Sequence, residues 1–218
     1  MNREQALSIL LREKLVVIIR LTKPEDADAI VAALLGGGVK AVEITSNTPG
    51  YAQKISQLRK KHPELLIGAG TITSVALADE AVAAGAQFLV TPNTCRQLVK
   101  RAHQLDVPAV MGAMTPTDVV QATAAGADIV KLFPSGELGP GYLTSLARGP
   151  FIGTPFFPVG GVDEHNARQW MEAGACGVGV GGRLAAPVSS PADAEALTQK
   201  AARIVADLKN YPTFEVTP

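Results

Sequence analysis

Residues 125–134 read Ala125-Gly126-Ala127-Asp128-Ile129-Val130-Lys131-Leu132-Phe133-Pro134. A glycine between small residues, the usual way to stop a helix, runs straight into an apolar β-rich segment that a proline closes. The same punctuation recurs. Ala84-Gly85-Ala86 and Ala173-Gly174-Ala175 each lead into a comparable segment, and Gly38 precedes another. Working outward from these points places eight short β-rich runs, at 16–19, 41–45, 65–68, 87–90, 108–111, 128–133, 156–160 and 177–180. Seven Ala-rich amphipathic stretches separate them and an eighth follows at 191–208.

Strand alternating with helix predicts parallel strands joined by crossovers. Eight such units in 218 residues suit a compact (β/α)8 TIM barrel, expected as one domain over 1–218. The glycine echo falls on strands two, four, six and eight, a two-unit period that the alternating layers of a barrel accommodate. The competing fold is an open doubly wound sheet. It needs a glycine-rich turn after the first strand, and Leu21-Thr22-Lys23-Pro24 is not one. Thr22-Lys23-Pro24-Glu25 and Thr94-Cys95-Arg96-Gln97 read as capping boxes, and Asp163 as the cap of the helix carrying Trp170 and Met171. Gly36-Gly37-Gly38, Gly85, Gly126 and Gly174 read as helix stops.

The chain is 47% hydrophobic and 18% charged, enough for a full core. Twenty Lys+Arg balance twenty Asp+Glu, which speaks against nucleic acid or an anionic membrane as partner, since both demand clustered excess positive charge. Arg59-Lys60-Lys61-His62 reads as the solvated end of a helix, where cations suit the negative dipole end. Cys95 and Cys176 form no CxxC pair, so a reducing cytoplasm is the expected compartment. The first residues lack a signal peptide's apolar core, and no apolar run approaches the roughly 18 residues of a membrane span. His62, His103 and His165 are scattered, which supports neither a metal cluster nor a Ser-His-Asp arrangement.

Two charges sit inside apolar runs: Lys131, and Glu43 within Ala41-Val42-Glu43-Ile44-Thr45. A buried ammonium costs several kcal/mol or gives up its proton, and a neutral amine in a dry pocket can condense with a carbonyl. A solvent-facing or carboxylate-paired lysine is the alternative reading. If Lys131 points inward then so do Ile129 and Phe133 by period two, and likewise Ala41 and Thr45 with Glu43. Strands two and six share a layer, so the two charges would meet across the lumen, as a reactive pair or as an ion pair holding the barrel shut. Beyond the strand ends lie Arg20, Asn47, Gly70-Thr71, Thr91-Pro92-Asn93, Gly112, Gly160-Gly161 and Gly181-Gly182-Arg183. Glycines after strands seven and eight free backbone amides to approach a phosphate or other small anion, although such turns also occur for steric reasons alone.

Glu43, Gly68-Ala69-Gly70-Thr71, Thr91-Pro92-Asn93, Lys131-Leu132-Phe133-Pro134 and Gly160-Gly161-Val162 resemble, in order and spacing, the bacterial KDPG/KHG aldolase family. Those enzymes split 2-keto-3-deoxy-6-phosphogluconate or 4-hydroxy-2-oxoglutarate and release pyruvate. The resemblance implies a (β/α)8 barrel, a homotrimer, and no metal or other cofactor. It implies Lys131 as Schiff-base lysine and Glu43 as general acid/base. Thr71 would contact the pyruvyl carboxylate, with the Gly68–Thr71 loop, Gly70 included, shaping its pocket, and Pro92 and Phe133 would be apolar walls. Gly160, Gly161, Gly181, Gly182 and Arg183 would surround the phosphate. Asn47, Val159 and the stretch from Lys131 to Pro140 look more like the branch acting on 2-keto-3-deoxy-6-phosphogalactonate, in which Arg20 would take over as carboxylate partner. An iminium at C2 is an electron sink for any good leaving group at C3, so oxaloacetate decarboxylation is a further expectation. The rival readings are a phosphosugar isomerase or lyase using Glu43 without an imine, and a barrel that only senses a phosphorylated metabolite.

Overall fold

The computed structural model describes residues 1–215. Eight parallel strands form one sheet in the order β7-β6-β5-β4-β3-β2-β1-β8. They are β1 Leu15–Ile19, β2 Ala41–Thr45, β3 Leu66–Gly70, β4 Leu89–Val90, β5 Ala109–Ala113, β6 Ile129–Leu132, β7 Phe156–Pro158 and β8 Val178–Val180. Val159 bridges Gly179, and the Cys176 N–H donates to the Phe156 carbonyl at 3.0 Å, so β7 meets β8 and the sheet curls into a barrel. Every strand matches one of the eight expected runs, with ends displaced by a few residues. The (β/α)8 architecture predicted from the alternation is the one observed.

Around the barrel lie α2 Ala27–Gly36, α3 Tyr51–Lys61, α4 Val75–Ala83, α5 Arg96–Gln104, α6 Pro116–Ala124, α7 Gly139–Ala147, α8 Ala167–Glu172 and α9 Pro191–Lys209. Period two sorts the strand side chains into two layers. Val17, Ile19, Val42, Ile44, Ile67, Met111, Val130 and Leu132 face the helices. Val16, Ala41, Leu66, Phe88, Val90, Val110, Ile129 and Phe157 fill the lumen. Phe88 and Phe157 are among the largest side chains there and each contributes about 1.5–3 kcal/mol by leaving water.

One helix was not anticipated. Helix α1, Arg3–Glu13, precedes the first strand, and its Ala6, Leu10 and Leu11 pack against the lumen residues, plugging the barrel's N-terminal end. A true capping box starts it. The Gln5 N–H donates to Asn2 Oδ1 at 2.9 Å, and the Asn2 N–H donates to Gln5 Oε1 at 3.0 Å. Beside the plug, Asp128 is almost fully covered yet well partnered. Its carboxylate accepts from the Ala109 N–H at 2.8 Å and lies 2.9 Å from His103 Nε2 and 3.2 Å from Arg3 Nε.

The expected capping boxes at Thr22 and Thr94 do not form. Residues Pro24–Asp26 make a short 3-10 turn whose flanking residue is Lys23, and no side chain caps it. The Thr94 hydroxyl donates instead to the Gly112 carbonyl at 2.8 Å, tying the β4 exit loop to β5 and leaving Cys95 at the start of α5. Asp163 does not cap α8 directly. It accepts from the His165 and Asn166 N–H groups at 2.8 and 3.1 Å, in the turn before that helix. The glycine stops behave as expected: Gly38, Gly85, Gly126 and Gly174 all hold positive φ at helix ends.

Candidate active site

Glu43 and Lys131 each lie two residues beyond a lumen residue, Ala41 and Ile129, so the strand pleat carries both side chains into the barrel. They are 2% and 6% exposed. Both line a cavity of about 710 Å³ at the C-terminal ends of the strands. Neither has a hydrogen-bond partner within 3.5 Å or an ion-pair partner within 4.0 Å among the described residues. They therefore do not form a closed ion pair that braces the barrel, and the space between them belongs to the cavity.

Burial pushes the Lys131 amine below its ordinary value of 10.5. The negative charge of Glu43 opposes this and the positive charge of Arg20 adds to it. Burial likewise pushes the Glu43 carboxyl above its ordinary value of 4.5, against the pull of Lys131 and Arg20. In both groups desolvation outweighs the attraction between them, which favours an uncharged amine facing a carboxyl that can hold a proton. The Phe133 ring covers the amine, with Nζ 4.9 Å from the ring centroid, and shields it from water.

Most of the expected site residues converge on this cavity. Arg20, Thr71, Pro92, Phe133, Gly160, Gly161, Gly181, Gly182 and Arg183 line it together with the two buried charges. Arg20 and Arg183 stand exposed at its mouth and share an adjoining cavity of about 510 Å³. Thr71 holds a left-handed backbone at φ 58, fixed by the Ser46 hydroxyl donating to its carbonyl at 2.7 Å. Such strain at a non-glycine residue is of order 1–3 kcal/mol and persists where the surroundings enforce it.

Two residues are placed differently. Gly70 lies beneath Glu43 rather than on the cavity wall, and a side chain there would overlap the Glu43 carboxyl. Its lack of a side chain is what lets the carboxyl sit where it does. Asn47 is exposed and lines a separate cavity of about 470 Å³ with Tyr51 and Glu80. The structure does not bring it to Lys131. Conversely, Ile18 and Ala185 line the central cavity although the sequence gives them no role, and so do Val162, expected only as part of the Gly160-Gly161-Val162 motif, and Asp163, expected only as a helix cap. Ile18 was within reach of the period-two argument, because Arg20 facing inward implies Ile18 facing inward.

A parallel α/β barrel with its reactive groups at the strands' C-terminal ends defines a barrel enzyme. Comparison with known proteins says which kind. The family model for KDPG and KHG aldolase matches residues 7–199. The chain is 36% identical over 171 residues to the 2-dehydro-3-deoxy-6-phosphogalactonate aldolase of Escherichia coli (strain K12), covering 78% of this chain and 83% of that one. It is 32% identical over 160 residues to the 2-dehydro-3-deoxy-phosphogluconate aldolase of Treponema pallidum (strain Nichols), covering 73% and 76%. A solved structure described as native KDPGal superposes with a TM-score of 0.82 at 33% identity, over 90% of this chain and 94% of that one. The chain belongs to the KDPG and KHG aldolase family. It is an aldolase, an enzyme that cleaves a carbon–carbon bond. Among the described residues no helix is long and apolar enough to cross a membrane.

Proposed function

We propose that the protein is a class I aldolase that cleaves a 2-keto-3-deoxy-6-phospho sugar acid of the KDPG type to pyruvate and glyceraldehyde 3-phosphate. The observation that carries this reading is Lys131: buried, held below its ordinary pKa, and lining one open cavity with Glu43, which has no partner among the described residues. The amine attacks the C2 ketone, and Glu43 delivers the proton that lets water leave the carbinolamine. Glu43 then accepts the proton of the C4 hydroxyl. The C3–C4 bond breaks, its electrons flow into the iminium, and the aldehyde departs. Protonation of the remaining enamine at C3 and hydrolysis of the imine release pyruvate and free Lys131.

Thr71 and Arg20 are assigned to the substrate carboxylate, the guanidinium by a bidentate contact. Pro92 and Phe133 are assigned as its apolar walls. Gly160, Gly161, Gly181, Gly182 and Arg183 are assigned to the phosphate. The cavity volume is in the range that encloses a small metabolite. The relatives' names cover both gluconate- and galactonate-derived substrates. The two substrates differ only at C4 and yield the same products, so the aldol chemistry is common to both. The same reading includes a homotrimer, open to test by sedimentation equilibrium.

The test is pyruvate release from the gluconate-derived substrate, the galactonate-derived substrate, 4-hydroxy-2-oxoglutarate and oxaloacetate, followed with lactate dehydrogenase. One of the phosphorylated six-carbon acids should give the highest kcat/KM. Absence of pyruvate from all four would reject the proposal.

A further inference from the structure

The loop after β7 carries three consecutive carbonyls that are tied down from behind. The Val159 carbonyl accepts from the Ser135 N–H at 2.9 Å and from the Ser135 hydroxyl at 3.0 Å. The Gly160 carbonyl accepts from the Gly136 N–H at 2.6 Å and shares the Ser135 hydroxyl at 3.0 Å. The Gly161 carbonyl accepts from Asn166 Nδ2 at 2.8 Å, and Asn166 is itself fixed because its Oδ1 accepts from the Asp163 N–H at 3.0 Å. Ser135 is wholly buried, so its hydroxyl has no competing water.

In a planar trans peptide the C=O and the following N–H point in opposite directions. Fixing the Gly160 carbonyl towards Ser135 and Gly136 therefore turns the Gly161 N–H the other way, and fixing the Gly161 carbonyl on Asn166 does the same to the Val162 N–H. Neither N–H has an acceptor among the described residues. Gly160, Gly161 and Val162 all line the central cavity. Positive φ at Gly160 and Gly161, 84° and 80°, is what allows successive peptides to take these orientations. The geometry is tight as well: a Cβ on Gly161 would stand 2.6 Å from the Gly136 Cα.

We infer that Ser135 and Asn166 are positioning residues for the substrate's phosphate. They touch no substrate. They hold the β7 loop's carbonyls away from the cavity so that the Gly161 and Val162 N–H groups meet an anion instead of repelling it with oxygen lone pairs. The inference rests on the aldolase reading above and assigns to these two side chains a task that the glycines cannot perform alone. Among the described residues Asn166 is the sole anchor of its carbonyl, whereas the Ser135 hydroxyl is backed by the Ser135 and Gly136 N–H groups, so Asn166 carries the larger effect.

The experiment compares a phosphorylated six-carbon substrate with unphosphorylated 4-hydroxy-2-oxoglutarate, using Asn166→Ala, Asn166→Asp and Ser135→Ala in the full chain. Asn166→Ala should raise KM for the phosphorylated substrate about tenfold, the loss of roughly one hydrogen bond to a charged group. Its kcat/KM on 4-hydroxy-2-oxoglutarate should fall at least fivefold less. Ser135→Ala should show the same selectivity at about threefold. Asn166→Asp keeps the shape but loses the donor, and should behave like Asn166→Ala. Equal losses on both substrates in any soluble variant would make the residues merely structural, and an unchanged KM would remove their role entirely. Both results overturn the inference. Reductive trapping of pyruvate by the wild type reports separately on the Schiff-base reading, so failure of that reading is recognised independently of the phosphate arm.

Discussion

The two ends of the barrel bury charge in opposite ways. At the N-terminal end Asp128 is surrounded by partners, the Ala109 N–H, His103 and Arg3, under the plug formed by α1. At the C-terminal end Glu43 and Lys131 are just as well hidden from solvent but have no hydrogen-bond or ion-pair partner among the described residues. A partnered buried charge holds a structure together. An unpartnered one costs stability and shifts its proton affinity, and proteins tolerate that where the shifted group has work to do. Exposure alone does not separate the two cases; the presence of partners does.

Substitutions at the two ends should therefore part company. Lys131→Ala should abolish cleavage in the lactate dehydrogenase assay while the circular dichroism spectrum stays native, and residual turnover near the wild-type rate would erase the distinction between the ends. Glu43→Gln should lower kcat at least ~10²-fold, the lower range for a general acid/base. Asp128→Asn, at the other end, should leave kcat within about twofold. It should cost roughly 1–3 kcal/mol in urea unfolding, because the buried Ala109 N–H and the partly exposed His103 and Arg3 lose their charged acceptor.

The sign should reverse at the open end. Replacing both unpartnered ionisable groups, Glu43→Gln with Lys131→Met, should stabilise the protein by about 1 kcal/mol or more in the same unfolding experiment. A destabilisation like that of Asp128→Asn would show that the open end is braced after all. The smallest expected effect is on pH. Glu43 raises the proton affinity of Lys131, so neutralising it as Glu43→Gln should move the acid limb of imine formation with pyruvate to lower pH. A limb that moves to higher pH would contradict the electrostatics.

Much of this architecture is legible in the amino-acid sequence for physical reasons. The strands could be found because buried parallel strands are continuous apolar runs and the helices between them end on glycine. Lys131 and Glu43 stood out because a charge inside such a run has few explanations. What escaped detection depended on contacts distant in sequence. Helix α1 opens on polar residues and its apolar face acquires meaning only against Phe88 and Phe157 in the lumen, although the Asn2 to Gln5 capping pattern was there to be read. Thr94 has the spacing of a cap, but its hydroxyl finds the Gly112 carbonyl, eighteen residues away in sequence. Asn47 follows β2 as Glu43's neighbour in the chain, yet the turn at 46–50 carries it outward to a separate cavity. Gly70 was expected to shape a substrate pocket, and what it shapes is the seat of Glu43.

The most direct measurement is borohydride reduction of the protein in the presence of pyruvate, followed by peptide mapping. A buried, uncharged Lys131 should yield a single reduced pyruvyl adduct, located on that lysine. No adduct, or one on a surface lysine such as Lys40 or Lys61, would contradict it.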